Sequence, residues 1–159
     1  MCGIAGIYNL NNKPVSRKSV ELMISTLEHR GPNDAGIYED GCIVLGHRRL
    51  SILDLSSKGH QPMSNTNETH WIVHNGEVYN YIELKKELPE QSYDSQTDTE
   101  VILKAYSEWG EKCVKRFNGI FAFALWDSLK HKLFCVRDHI GVKPFYYAMQ
   151  DGNFYFASE

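Results

Sequence analysis

Apolar residues recur along this chain at two spacings, one strand-like and one helical. Cys2 to Tyr8 is a short apolar run broken by Gly3 and Gly6, which predicts a buried strand. Asn9 to Pro14 reads as a turn. Ser16 to Leu27 puts Val20, Met23, Ile24 and Leu27 on one helical face, and Gly31-Pro32 stops it. Gly36 to Tyr38 and Cys42 to Gly46 read as strands paired around Asp40-Gly41, a hairpin signal. Trp71 to His74 predicts another strand, ended by Asn75-Gly76.

Asn80 to Leu88 predicts a short helix closed by Pro89. Thr97 to Trp109 predicts a longer one, with Thr97 and Glu100 as a capping box. Its buried face would be Val101, Ile102, Ala105, Tyr106 and Trp109, with Gly110 at its end. Ile120 to Trp126 alternates Phe and Ala as a strand does, and Leu133 to Val136 is its expected partner. Phe145 to Ala148 and Phe154 to Ala157 flank Asp151-Gly152 as a last hairpin. Many hairpin-linked strands with few amphipathic helices predict an α+β fold with helices packed on antiparallel sheets. No internal repeat or low-complexity linker interrupts it. The chain stops at Phe156-Ala157-Ser158-Glu159, straight after a strand, as a cut domain would.

The 159 residues suffice for one domain with a real core. At 42% hydrophobic and 23% charged, the composition is that of an ordinary soluble protein. A net charge of -3 gives no footprint of a nucleic-acid or membrane partner. No apolar run approaches the ~20 residues of a membrane span, and the start lacks the order of a secretory signal. Cys2, Cys42, Cys113 and Cys135 are far apart and form no CxxC pair. They read as one reactive thiol and three core fillers in a reducing, cytoplasmic setting. The seven histidines show no HxH or HExxH grouping, so no metal is expected.

Cys2 changes the picture. A small second residue allows removal of Met1, which leaves the thiol on the first residue. An α-amino group titrates near ~7.7–8.0 and a thiol near ~8.5, so one residue can carry both nucleophile and base. Taken alone, Cys2 reads more readily as a small buried hydrophobe. Arg49, at a strand end, offers a planar fork for a carboxylate or only a surface ion pair. Asn75 and Gly76 offer a side-chain and a backbone N–H that together make an oxyanion hole, or simply a tight turn. Asp98 lies in a first helical turn, where it complements the dipole or binds an ammonium. Arg137 to Pro144 reads as a structured loop with no assigned role.

Six further segments stand in order behind Met1-Cys2-Gly3-Ile4. They are His29-Arg30-Gly31-Pro32, Gly46-His47-Arg48-Arg49-Leu50-Ser51-Ile52, His74-Asn75-Gly76-Glu77-Val78-Tyr79-Asn80, Thr97-Asp98-Thr99-Glu100, Phe121 to Asp127, and Arg137-Asp138 with Gly141 and Lys143-Pro144. Together they resemble class II glutamine amidotransferases, above all the glutaminase domain of glutamine-hydrolysing asparagine synthetases. The resemblance implies the N-terminal-nucleophile hydrolase fold, a four-layer αββα sandwich of two antiparallel sheets between helices, with residues 1–159 as one glutaminase domain. It implies Cys2 as nucleophile and Asn75 with Gly76 as oxyanion hole. Arg49 would hold the glutamine α-carboxylate, helped by backbone around Leu50, Ser51, Ile52 and Leu53. Glu77 and Asp98 would meet the α-ammonium and polar tail, and Arg30 would support the pocket from behind.

Glutamine hydrolysed through a cysteinyl thioester would then supply ammonia for converting aspartate to asparagine. The ATP-dependent synthetase domain is absent from this sequence, which has no Ser-Gly-Gly-rich phosphate loop, so ATP and magnesium are expected only there. The domain itself is expected to need no cofactor or metal. Its partners would be L-glutamine and that synthetase domain; a homodimer stays open. Other readings are the glutaminase half of another amidotransferase, such as a sugar-amidating one, and a non-catalytic regulatory domain of the same fold. A papain-like protease does not fit a cysteine at position two.

Overall fold

The computed structural model describes residues 1–89 and 92–159. Nine strands are arranged in two antiparallel sheets. β1 (Gly3–Asn9), β2 (Asp34–Asp40), β3 (Ile43–Arg49), β8 (Tyr146–Gln150) and β9 (Asn153–Ala157) make a sheet in the order β2-β3-β1-β9-β8. β4 (Met63–Ser64), β5 (His70–Val78), β6 (Gly119–Asp127) and β7 (Lys132–Arg137) make the other, in that order.

Period-two patterning decides which face each strand buries. Ile4, Ile43, Leu45 and Phe156 of the first sheet meet Val73, Ala122, Ala124 and Trp126 of the second in one apolar layer. Helix α1 (Arg17–Thr26) places Val20 and Ile24 on the outer face of the first sheet, against Ala5, Ile7 and Val44. Helices α2 (Tyr81–Glu87) and α3 (Asp98–Trp109) cover the second sheet through Leu84, Val101, Ile102 and Ala105. The layers therefore run helix, sheet, sheet, helix, as the resemblance implied.

Most expected elements form, with ends shifted by one to three residues. The exceptions are informative. β5 does not stop before Asn75-Gly76 but runs through both, pairing Asn75 with Ala122 and Gly76 with Phe121. The turn alternative for this dipeptide is thereby replaced by a strand. β4 and the 3-10 segments Ser57–Gly59 and Gly110–Arg116 carry no periodic signal. The capping box forms by half: Thr97 Oγ1 accepts from Glu100 N–H at 3.4 Å, while Glu100 turns to the Asp94 and Ser95 N–H groups instead. Trp109 is only partly buried, and Leu103 joins the buried face. Among the described residues no helix is long and apolar enough to cross a membrane.

Candidate active site

The first sheet brings Cys2 and Arg49 together because β1 and β3 are antiparallel neighbours, with Gly3 opposite Arg48. The head of one strand lies beside the tail of the other. The second sheet supplies Asn75, Gly76 and Glu77 from β5, and the start of α3 supplies Asp98. A cavity of about 200 Å³ is lined by Cys2, Arg49, Leu50, Ile52, Leu53, Asn75, Gly76, Glu77 and Asp98.

The Cys2 thiol lies 3.4 Å from the Leu50 N–H, which donates to the sulfur, and 3.7 Å from the Leu50 carbonyl. Burial raises the thiol pKa; the Leu50 N–H, the nearby amino terminus and Arg49 oppose it, and Asp98 adds to the rise. A buried thiol of this kind needs a base at hand to ionise. Behind it, Arg30 Nε donates to the Cys2 carbonyl at 3.0 Å and Nη1 donates to Glu159 at 2.7 Å. Arg30 thus touches the backbone of Cys2 rather than the cavity.

Arg49 is 6% exposed. Its Nη1 donates to the Ser56 carbonyl at 2.7 Å and its Nη2 to the Asp54 carbonyl. Gly59 packs so closely that an added Cβ would stand 2.0 Å from Arg49 Nη2. A guanidinium has five N–H donors, so the fork is held from outside with donors to spare for a carboxylate. Leu50, Ile52 and Leu53 line the cavity, whereas Ser51 lies in a neighbouring cleft with Asn33, whose Oδ1 accepts its N–H. Asp98 is buried, and its Oδ2 accepts the Val78 N–H at 2.7 Å.

Asn75 Nδ2 is the most telling atom. It is buried without a hydrogen-bond partner among the described residues, on the cavity that holds the thiol. A buried amide donor left unpaired costs ~1–3 kcal/mol, and this one lies where an acceptor entering the cavity could meet it; His74 Nε2, on the same cavity, is also without a partner among the described residues. Beside it Gly76 has φ +147, and a Cβ there would lie 2.2 Å from the Ile120 carbonyl. Only glycine fits.

Residues 1–159 match the model of the glutamine amidotransferase domain. The chain belongs to this family. It is 46% identical to a putative glutamine-hydrolysing asparagine synthetase 2 of Methanocaldococcus jannaschii, over all of this chain and 34% of the relative. It is 42% identical to asparagine synthetase 3 of Bacillus subtilis and 39% to asparagine synthetase B of Escherichia coli, over all of this chain and 26% and 29% of theirs. The chain therefore spans about a third or less of these relatives. A B. subtilis glutamine phosphoribosylpyrophosphate amidotransferase superposes with a TM-score of 0.83 over 99% of this chain and 42% of its own, at 20% identity. That likeness establishes the N-terminal-nucleophile fold.

The cavity also holds residues to which the sequence assigns no role in the site: Asp54, Gly59, Gln61, His74, Thr97, Thr99, Ile120 and Lys143. His74, Thr97, Thr99 and Lys143 sit within quoted motifs, but Asp54, Gly59, Gln61 and Ile120 carry no local signal of a site. Met1 lines the rim, with its sulfur 3.1 Å from Lys143 Nζ. The segment Arg137 to Pro144 is a structured loop as expected: Asp138 accepts the N–H groups of Ile140, Val142 and Lys143. Among the described residues no group of three or more His, Cys, Asp or Glu is placed to hold a metal ion.

Proposed function

We propose that this chain is a glutaminase that splits glutamine into glutamate and ammonia. The observation that carries this is the unpartnered Asn75 donor beside Gly76, on the cavity of Cys2 and Arg49. Arg49 holds the α-carboxylate; Glu77 and Asp98 face the α-ammonium. The free amine of a trimmed Cys2 takes the thiol proton, and sulfur attacks the side-chain carbonyl. The carbonyl oxygen gains charge between Asn75 Nδ2 and the Gly76 N–H, donors of a kind worth ~2.7–4 kcal/mol of barrier each. The ammonium so formed at Cys2 protonates the leaving ammonia. Water then cleaves the γ-glutamyl thioester.

The names of the relatives and their greater length support a second step. Ammonia passes to an ATP-dependent synthetase domain that makes asparagine from aspartate; ATP and magnesium belong to that domain, and the glutaminase step needs neither. The setting is cytoplasmic, in keeping with four free cysteines. Another acceptor, such as a sugar, is the competing assignment.

With Met1 attached, the Cys2 nitrogen is an amide and accepts no proton. The test is glutamate release from glutamine by three samples: trimmed protein, protein retaining Met1 by mass, and trimmed Cys2→Ala. Only the first should turn over. Equal rates in all three would refute the assignment.

A further inference from the structure

The side of β5 that faces away from β6 has almost no strand beside it. β4 covers only Trp71 and Ile72, and Pro62, just before it, has no N–H with which to extend the ladder. An open edge of this kind leaves backbone groups unpaired. Here side chains from other elements complete it. Gln61 Oε1 accepts the His74 N–H at 2.7 Å, and Asp98 Oδ2 accepts the Val78 N–H at 2.7 Å. His47 Nε2 lies 3.1 Å from the His74 carbonyl. A carbonyl only accepts, so the proton of His47 is on Nε2. Burial holds the ring neutral, with a pKa of about 3.

The orientation of Gln61 is fixed by the same logic. Its oxygen takes a backbone N–H, so its nitrogen donates to Thr99 Oγ1 at 3.3 Å, and that hydroxyl lies 3.0 Å from His74 Nδ1. Strand alternation points the N–H groups of His74, Gly76 and Val78 to one side. The first and last are taken by Gln61 and Asp98. Gly76, between them, presents its N–H at the cavity it lines.

We propose that His47 and Gln61 are positioning residues that stand in for an absent strand and aim the oxyanion donors Asn75 and Gly76 at the carbon attacked by Cys2. His47 is 0% exposed and crosses an otherwise apolar layer. It joins β3, which ends in Arg49, to β5 one residue before Asn75. His47 is also paired in register with Ile4, two residues from the nucleophile. The bond therefore sets one sheet's donors against the other sheet's sulfur. Its chemical consequence rests on the glutaminase reading; the bracing itself does not.

The test compares His47→Leu, which removes the donor, with His47→Gln, whose amide nitrogen reaches the place of Nε2. In trimmed protein, His47→Leu should lower kcat for glutamine by about 10- to 100-fold, as misaimed donors do, with KM and the rate of Cys2 alkylation by iodoacetamide within threefold of the parent. His47→Gln should recover most of the loss. Gln61→Met should repeat the pattern, and it decides the matter if His47→Leu does not fold. An unchanged kcat, a parallel fall in alkylation, or no recovery in His47→Gln would overturn the proposal. Should the parent itself release no glutamate, the functional reading fails instead. Amide hydrogen exchange at His74 to Gly76 then decides the bracing: faster in His47→Leu and restored in His47→Gln, or else refuted.

Discussion

Gly76 shows how much a single position can carry. Its φ of +147 lies where side chains are strained, and the Ile120 carbonyl occupies the space of a Cβ. Gly76→Ala should therefore lose stability by roughly 1–3 kcal/mol and nearly all glutamine turnover, because β5 must shift to make room. Urea unfolding and glutamate release measure the two effects. Arg49 makes a complementary case. Arg49→Lys keeps the charge but loses the fork held by the Asp54 and Ser56 carbonyls. KM for glutamine should rise about tenfold or more while Cys2 alkylation persists; an unchanged KM would remove Arg49 from the substrate carboxylate. Cys2, Arg49 and Asp98 are each ambiguous when read alone, and it is the ordered set of motifs around them that singles them out. Gln61 shows no such signal, because its partners His74 and Thr99 are 13 and 38 residues away and bonds of this kind leave no local pattern.

Elements were readable in proportion to their periodicity. α3 announces itself through Val101, Ile102, Ala105 and Tyr106, all buried as the spacing requires. The β2–β3 and β8–β9 hairpins follow from Asp-Gly turns, where Gly41 and Gly152 both take positive φ. β4 has two residues and no period to read. Asn-Gly favours a turn locally and so predicts a shorter β5, whereas nine paired positions with β6 outweigh that preference. The start of α3 matters most for the proposed function, since it carries Asp98. Thr97 caps it through Glu100 N–H, and Ser95 is tied to Glu100 at 2.7 Å. Thr97→Ala should cost about 1 kcal/mol and weaken glutamine binding by loosening Asp98. Thermal unfolding and KM report the two effects; a stability loss with unchanged KM would uncouple cap from site.

The whole molecule responds to acid through its buried imidazoles. His47 and His74 are both fully enclosed, and burial lowers the pKa of each. Their unfolded counterparts titrate near ~6.5. Below that pH the unfolded chain binds protons that the native rings refuse, so stability is full above about 6.5 and falls as pH drops toward the folded value of about 3 for His47. Each such ring contributes a slope on the order of 1 kcal/mol per pH unit. His70 is lowered too, with the same sign. Carboxylates held low, Asp127 and Asp138, add their loss only further down, below ~4. Urea midpoints should thus fall between pH 7.5 and 5, and His47→Gln should flatten the curve. A midpoint constant over that range would contradict neutral burial.

Met1 stands on the rim of the cavity that holds Cys2, and this has a practical corollary for anyone handling the protein. An affinity handle or fluorescent reporter fused upstream would feed polypeptide into the place where an amino acid must enter. Such a preparation would fold, purify cleanly and still do nothing.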